Sequence, residues 1–238
     1  MSEARGPVRI ALVGATGLVG RHVIDVASAG DEARIVGIAR REAPLPPGAR
    51  MEMFVAQPAK WGEVLEAVRP RALICALGTT WKKAGRDEAA FRSVDHDLVL
   101  ATAEAAKRAG VPNMVLISAA GADAHGKSVY FRVKGETENA VSRIGFKRLD
   151  ILRPGLLRGE RSNDRRIGER LGILAAPLID PLLSGSWERF RSIDAALVAE
   201  AALGLAMRRA GGRFTHDNDA MRRAAREWRR IGEMESAA

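Results

Sequence analysis

The run Val-Arg-Ile-Ala-Leu-Val at residues 8–13 gives directly onto Gly14-Ala15-Thr16-Gly17-Leu18-Val19-Gly20, and this junction restricts the rest of the chain more than any other stretch. The run is too short for a helix and carries the β-branched and aliphatic residues of a buried strand. Three glycines at intervals of three follow it, then an amphipathic stretch to about Ser28. A strand that turns sharply into a helix through glycines reads as the first unit of a parallel sheet, because glycine tolerates the tight turn and the close backbone approach. The spacing is G-x-x-G-x-x-G rather than G-x-G-x-x-G, but the physics is shared. The backbone can approach a pyrophosphate, and the helix N-terminus receives its charge. No Gly-Lys-Ser/Thr follows, which sets aside a Walker-type loop.

The unit then repeats. Residues 33–39 and 51–56 read as the second and third strands, with the loop "PLPPG" between them. A helix near 58–69 leads to a fourth strand at 71–77, and a helix over 87–109 stops at Gly110 and Pro112. A fifth strand at 113–119, a helix over 127–144 and a sixth strand at 148–154 complete the series. This alternation predicts an α/β fold, a Rossmann-type doubly wound parallel sheet covered on both faces, in a single domain. Residues 1–157 are expected to form the dinucleotide-binding core. Residues 158–238 are expected to form a small C-terminal helical region on the substrate side, ending in a basic helix near 217–231. The apolar stretch 172–183 is expected to pack as a core helix.

Composition narrows the function. The chain of 238 residues carries a net charge of +9, yet its 38 basic residues are scattered and aromatics make up 5%. Without basic residues interleaved with stacking aromatics, nucleic-acid binding is not expected. No apolar run approaches ~18 residues, so no transmembrane helix is expected. The arginine before the first apolar stretch does not mark a signal peptide, since the glycine pattern accounts for that stretch. The single cysteine, Cys75, lies in an apolar run and is expected to be a buried small hydrophobe in a reducing cytoplasm. The four histidines (22, 96, 125 and 216) form no i, i+4 pair, and no metal site is expected.

Chemistry-bearing residues fall at the strand ends. An adenosine ribose with free hydroxyls is usually met by an acid after the second strand. Here that place holds Arg40 and Arg41, with no acid until Glu42. Guanidinium forks match phosphate, so NADP(H) is expected over NAD(H). Leu77, Gly78 and Thr79 end the fourth strand, where a crevice would pass the cofactor riboses. Ser118 closes the fifth strand. Twelve residues later comes Tyr130, the chain's one tyrosine, and Lys134 shares its helix face at i+4. Free tyrosine, with a pKa near ~10, exchanges protons poorly at neutral pH, and a neighbouring ammonium favours the phenolate. Tyr130 is therefore the candidate general acid/base, Ser118 the hydrogen-bonding partner of the reacting oxygen, and Lys134 the group serving tyrosine and ribose.

The glycine turn, Ser118 and Tyr130-x-x-x-Lys134 resemble the short-chain dehydrogenase/reductase superfamily. "CALGTTWKKAG", "VDHDLVLATAEAAKRAG", "YFRVKGETE" and "LRPGLL" resemble its atypical NAD(P)H-binding branch, the group around the Tat-interacting oxidoreductase-like proteins. The resemblance spans about residues 8–207 and leaves the basic tail outside. It implies a Rossmann fold, NADP(H) and a Ser118–Tyr130–Lys134 active site. Cofactor contacts would come from Gly14, Thr16, Gly17, Leu18, Val19 and Gly20, with Pro154, Gly155 and Leu156 bordering the nicotinamide. Many members carry a relay asparagine in the helix before the fifth strand, and Asp95 stands nearest to that place here. The short C-terminal region argues against sugar-nucleotide epimerases with large C-terminal domains. The expected function is an NADP(H)-dependent reductase for a small carbonyl or alcohol. The alternative is an NADPH-binding sensor or regulatory protein acting through a protein partner, and a homodimer is also open.

Overall fold

The computed structural model describes residues 7–42, 45, 49, 51–159 and 185–236. Seven parallel strands form its sheet: β1 (Val8–Val13), β2 (Ala33–Ala39), β3 (Glu52–Val55), β4 (Ala72–Cys75), β5 (Asn113–Ile117), β6 (Arg148–Leu152) and β9 (Gly212–His216). Their order is β3-β2-β1-β4-β5-β6-β9, with parallel register throughout. β7 (Leu157–Arg158) and β8 (Ile193–Asp194) make a separate two-stranded ladder. The helices are α1 (Leu18–Ser28), α2 (Trp61–Val68), α3 (Glu88–Arg92), α4 (Val99–Arg108), α5 (Val129–Arg143), α6 (Ala195–Ala206) and α7 (Asn218–Ser236). This is the doubly wound Rossmann arrangement that the alternation predicts.

Alternate residues of β1 feed the two cores, as the period of two in a strand requires. Ile10 and Leu12 join one cluster with Val19, Val23 and Ile24 of α1, Val198 of α6 and Trp228 of α7. Ala11 and Val13 join the other with Trp61 and Leu65 of α2 and Val99 and Ala103 of α4. Several strands end earlier than the sequence suggests. Ala76 and Leu77, Ser118 and Ala119, and Arg153 and Pro154 leave the sheet to build the loops at its carboxyl edge.

The C-terminal part differs most from expectation. Among the described residues after Pro154, strands and helices still alternate, in the order β8, α6, β9 and α7. β9 extends the sheet as an edge strand, and α6 lies against α1 within the first core. The expected basic helix is present as α7, and its stripe Met221, Ala224, Ala225 and Trp228 is buried while arginines take the outer face. Gly204 lets α6 and α7 approach closely: a Cβ there would lie 3.4 Å from both the Ala224 carbonyl oxygen and the Trp228 Cβ. Polar contacts with β6 fix β9 in place. Buried Arg148 donates to Asp150 through Nε (2.6 Å) and Nη2 (2.8 Å), and His216 of β9 meets Asp150 Oδ1 at 2.8 Å. The stretch 172–183 lies outside the described residues. Among those described, no helix is long and apolar enough to cross a membrane.

Trp228→Ala should lower stability by about 3–5 kcal/mol, the cost of emptying a buried indole site. Thermal or urea unfolding followed by circular dichroism measures it. A loss under ~1 kcal/mol would mean that α7 does not belong to the cooperative core.

Candidate functional site

A cleft of about 540 Å³ runs across the carboxyl ends of β1, β2, β4 and β5, spanning the point between β1 and β4 where the strand order reverses. Open α/β sheets bind ligands at such switch points. Thr16, Gly17, Leu18 and Val19 form one wall, at the N-terminus of α1. Gly14 and Gly20 do not line it. Gly14 has φ +87°, and a Cβ there would stand 2.4 Å from the Ala76 carbonyl carbon and oxygen. At Gly20 a Cβ would lie 2.2 Å from the Gly14 oxygen. These two glycines let the turn fold against β4 and let α1 fold against the turn. Gly17 donates its amide to Gly14 O (2.9 Å) and faces the cleft.

Beyond β2, Arg40 is exposed and off the cleft, whereas Arg41 and Glu42 line it. Leu77, Gly78, Thr79 and Thr80 form the floor after β4. Ser118, Tyr130 and Lys134 reach the same cleft from β5 and α5. Pro154, Gly155 and Leu156 are not among its lining residues, although Leu157 is. Gly155 instead donates its amide to Asn218 Oδ1 (3.1 Å), and a Cβ on it would meet the Arg191 carbonyl oxygen at 2.1 Å.

Asp95 organises the inner end. It is fully buried, in a π-helical turn over Ser93–Leu98 that joins α3 to α4. Such one-residue expansions of a helix recur at functional sites. Lys134 Nζ lies 2.7 Å from Asp95 Oδ1, while the Thr79 amide donates to Oδ2 at 2.7 Å. Opposite charge and a side-chain hydrogen bond act together in this short contact. Burial pulls the Lys134 pKa down, but the Asp95 charge and then Tyr130 outweigh it and leave the ammonium above its ordinary 10.5. Gly78 crosses this pair, since a Cβ there would sit 3.2 Å from Asp95 Oδ1.

Behind Ser118 lies a second buried acid. Ser118 Oγ donates to Glu138 Oε1 (2.5 Å), and Arg153 donates Nε to both Glu138 oxygens (3.1 Å each) and Nη2 to Oε2 (2.5 Å). Glu138 does not stand out in the sequence reading, although Tyr130, Lys134 and Glu138 follow one another at i+4 along a single face of α5. The Tyr130 ring packs against buried Phe91 (centroids 5.4 Å) and against Phe131 (5.2 Å). Cys75 lies under this end, its thiol pushed up to about 11 by burial, which makes it an inert hydrophobe.

Comparison with known proteins gives this geometry a context. A family model described as NAD(P)H-binding matches residues 14–175. The chain is 41% identical to protein fmp52, mitochondrial, of Emericella nidulans over 163 residues, 66% of this chain and 70% of that protein. It is 36% identical to the Aspergillus niger protein of the same name over 210 residues, 85% and 88% of the two chains. In fold it resembles MoeE5 in complex with UDP-glucuronic acid and NAD, with a TM-score of 0.68 and 16% identity, covering 88% of this chain and 76% of that one.

Two expectations fall. MoeE5 and further solved structures of this fold are complexes with NAD, which overturns the preference for NADP(H). The cleft supplies the physical reason: Arg40 points no fork into it, and the acid Glu42 stands in it beside Arg41. The cytoplasmic expectation is overturned by relatives that are mitochondrial proteins by name. A lone cysteine cannot pair internally in any compartment, so it never discriminated between them.

Asp95→Asn should leave Lys134 a buried ammonium without its counter-charge, at a cost of about 3 kcal/mol near neutral pH. In the wild type the folded lysine holds its proton more tightly than the unfolded one. That contribution is complete below 10.5 and is lost as pH rises through the raised folded value. The variant's unpaired lysine sheds its proton below 10.5, so the gap between the two proteins should narrow with rising pH. Unfolding titrations from pH 7 upward check this, and a gap that widens would contradict it. By its glycine turn, its strand order and the match over residues 14–175, the chain belongs to the NAD(P)H-binding family, on a Rossmann fold that it shares with MoeE5 and with a UDP-glucose 4-epimerase of Thermotoga maritima.

Proposed function

We propose that the chain is an NAD(H)-dependent oxidoreductase that moves hydride to or from a carbon of a small alcohol or carbonyl compound. The observation that carries this reading is the convergence of Ser118, Tyr130 and Lys134 on one wall of a cleft whose opposite wall is the glycine turn. The residues present fit a dinucleotide. Gly17 opens an 11-residue helix toward the cleft, Gly78 keeps the floor low, and Glu42 offers a carboxylate where ribose hydroxyls would lie. When bound, the nicotinamide supplies or accepts the hydride.

The chain's own residues handle the rest. Tyr130 Oη gives a proton to the substrate oxygen in reduction and takes it back in oxidation. Lys134 Nζ, held by Asp95, keeps a positive charge beside the phenol and can serve the ribose. Ser118 Oγ meets the reacting oxygen. Residues 1–157 carry these groups, and we assign 158–238 to the substrate side. Within the family we place the chain beside the Tat-interacting oxidoreductase-like branch, on the stretches "CALGTTWKKAG" and "YFRVKGETE". A second reading, a dinucleotide-sensing protein with little turnover, draws support from Asp95, whose charge offsets the cation beside Tyr130.

Tyr130→Phe should cut turnover on a carbonyl panel by ~10²-fold or more while NADH affinity, followed by its fluorescence, stays nearly constant. NADH binding by a wild type that reduces none of the panel would transfer the assignment to the sensor. Glu42→Gln should weaken NADH binding about tenfold, the scale of one hydrogen bond to a charged group. Unchanged affinity would remove Glu42 from the ribose site.

A further inference from the structure

The hydrogen bond behind Ser118 decides what kind of oxygen the cleft prefers. This step rests on the reading of Ser118, Tyr130 and Lys134 as the groups around the reacting atoms. A serine hydroxyl carries one proton. Ser118 Oγ lies 2.5 Å from Glu138 Oε1, with Ser118 7% and Glu138 4% exposed. Glu138 in turn faces the Arg153 guanidinium, which contacts both carboxylate oxygens. A guanidinium always donates, and a carboxylate matched to it accepts at both oxygens. The proton in the Ser118–Glu138 bond is therefore the serine's. Ser118 is left with lone pairs, and no proton, for the cleft that it lines beside Tyr130 and Lys134.

We propose that Glu138 is a positioning residue that turns the Ser118 proton away from the cleft, so that the site favours ligands presenting a hydroxyl over the matching carbonyl compounds. An alcohol O–H can donate to Ser118 without disturbing anything. A carbonyl oxygen brings lone pairs alone. To donate to it, Ser118 must leave a buried, charge-assisted bond, which is roughly twice as strong as a neutral one. The ligand class that this geometry selects is an alcohol, with the matching carbonyl compound as the more weakly held partner.

The test uses the Tyr130→Phe protein loaded with NADH, in which turnover is suppressed and Ser118 remains as the oxygen's partner. Cyclohexanol and cyclohexanone, and 1-phenylethanol and acetophenone, are titrated as matched pairs and followed by the fluorescence of bound NADH. The alcohol of each pair should bind ~10-fold more tightly than its ketone. Adding Glu138→Gln should shift that ratio toward the ketone by about tenfold or more, with NADH affinity kept within about twofold. Arg153 requires an acceptor, so the new amide turns its oxygen to Arg153 and its NH₂ to Ser118, which frees the serine proton for the cleft. Ser118→Ala should erase the preference without reversing it, and it carries the test if Glu138→Gln fails to fold. A ketone bound as tightly as its alcohol, no binding of either, or a ratio insensitive to both substitutions overturns the proposal. Failure of the wild type to bind NADH at all would instead overturn the oxidoreductase reading, and this step with it.

Discussion

The backbone of Gly14 lies so close to the end of β4 that a single added carbon would stand 2.4 Å from the Ala76 carbonyl. That approach sets the position of everything beyond it. The turn can leave β1 at φ +87° because no side chain blocks it, and α1 then starts with Gly17 facing the space above the sheet. Gly20 repeats the device one turn later, bringing the helix down onto the turn itself. The cleft is thus the gap left where β1 and β4 send their chains to opposite faces of the sheet. Its depth depends on three positions without side chains rather than on any large residue.

Into that gap α5 presents a single row of polar residues, and burial there is tolerated because each charge has an opposite. Among the described residues the buried acids are Asp95, Glu138 and Asp150, and each faces a base: Lys134, Arg153 and Arg148 respectively. Removing water from such pairs is expensive, so they contribute little net stability, and breaking one is costly. Their value here is placement. Asp95 fixes Lys134 and the loop after β4 together, Glu138 fixes Ser118, and Asp150 fastens the last strand to the sheet.

Much of this was legible in the sequence, where physics is local. Strand and helix periods gave six of the seven parallel strands, and the i+4 spacing of Tyr130 and Lys134 correctly put both on one face. β9 escaped because "GRFTH" is an exposed edge strand with no apolar alternation to read. The cofactor expectation failed because the acid Glu42 enters the cleft beside Arg41 while Arg40 stays off it, and linear sequence does not say which of several adjacent side chains enters a cleft. Glu138 was hidden for another reason. Its partners, Ser118 and Arg153, are brought to it by two different strands, so its chemistry exists only once the sheet has formed.

The last helix has a second attachment besides its apolar stripe. Asn218, at its first turn, accepts from the Gly155 amide through Oδ1 and donates through Nδ2 to the Arg191 carbonyl (2.7 Å). One side chain therefore clasps the turn after β6 and the segment entering β8, which flank Leu157 at the rim of the cleft. The start of α7 is in this way tied to the mouth of the site. A shift of the first turn of α7 would strain both of these hydrogen bonds at once, and so reach the two segments that flank the rim.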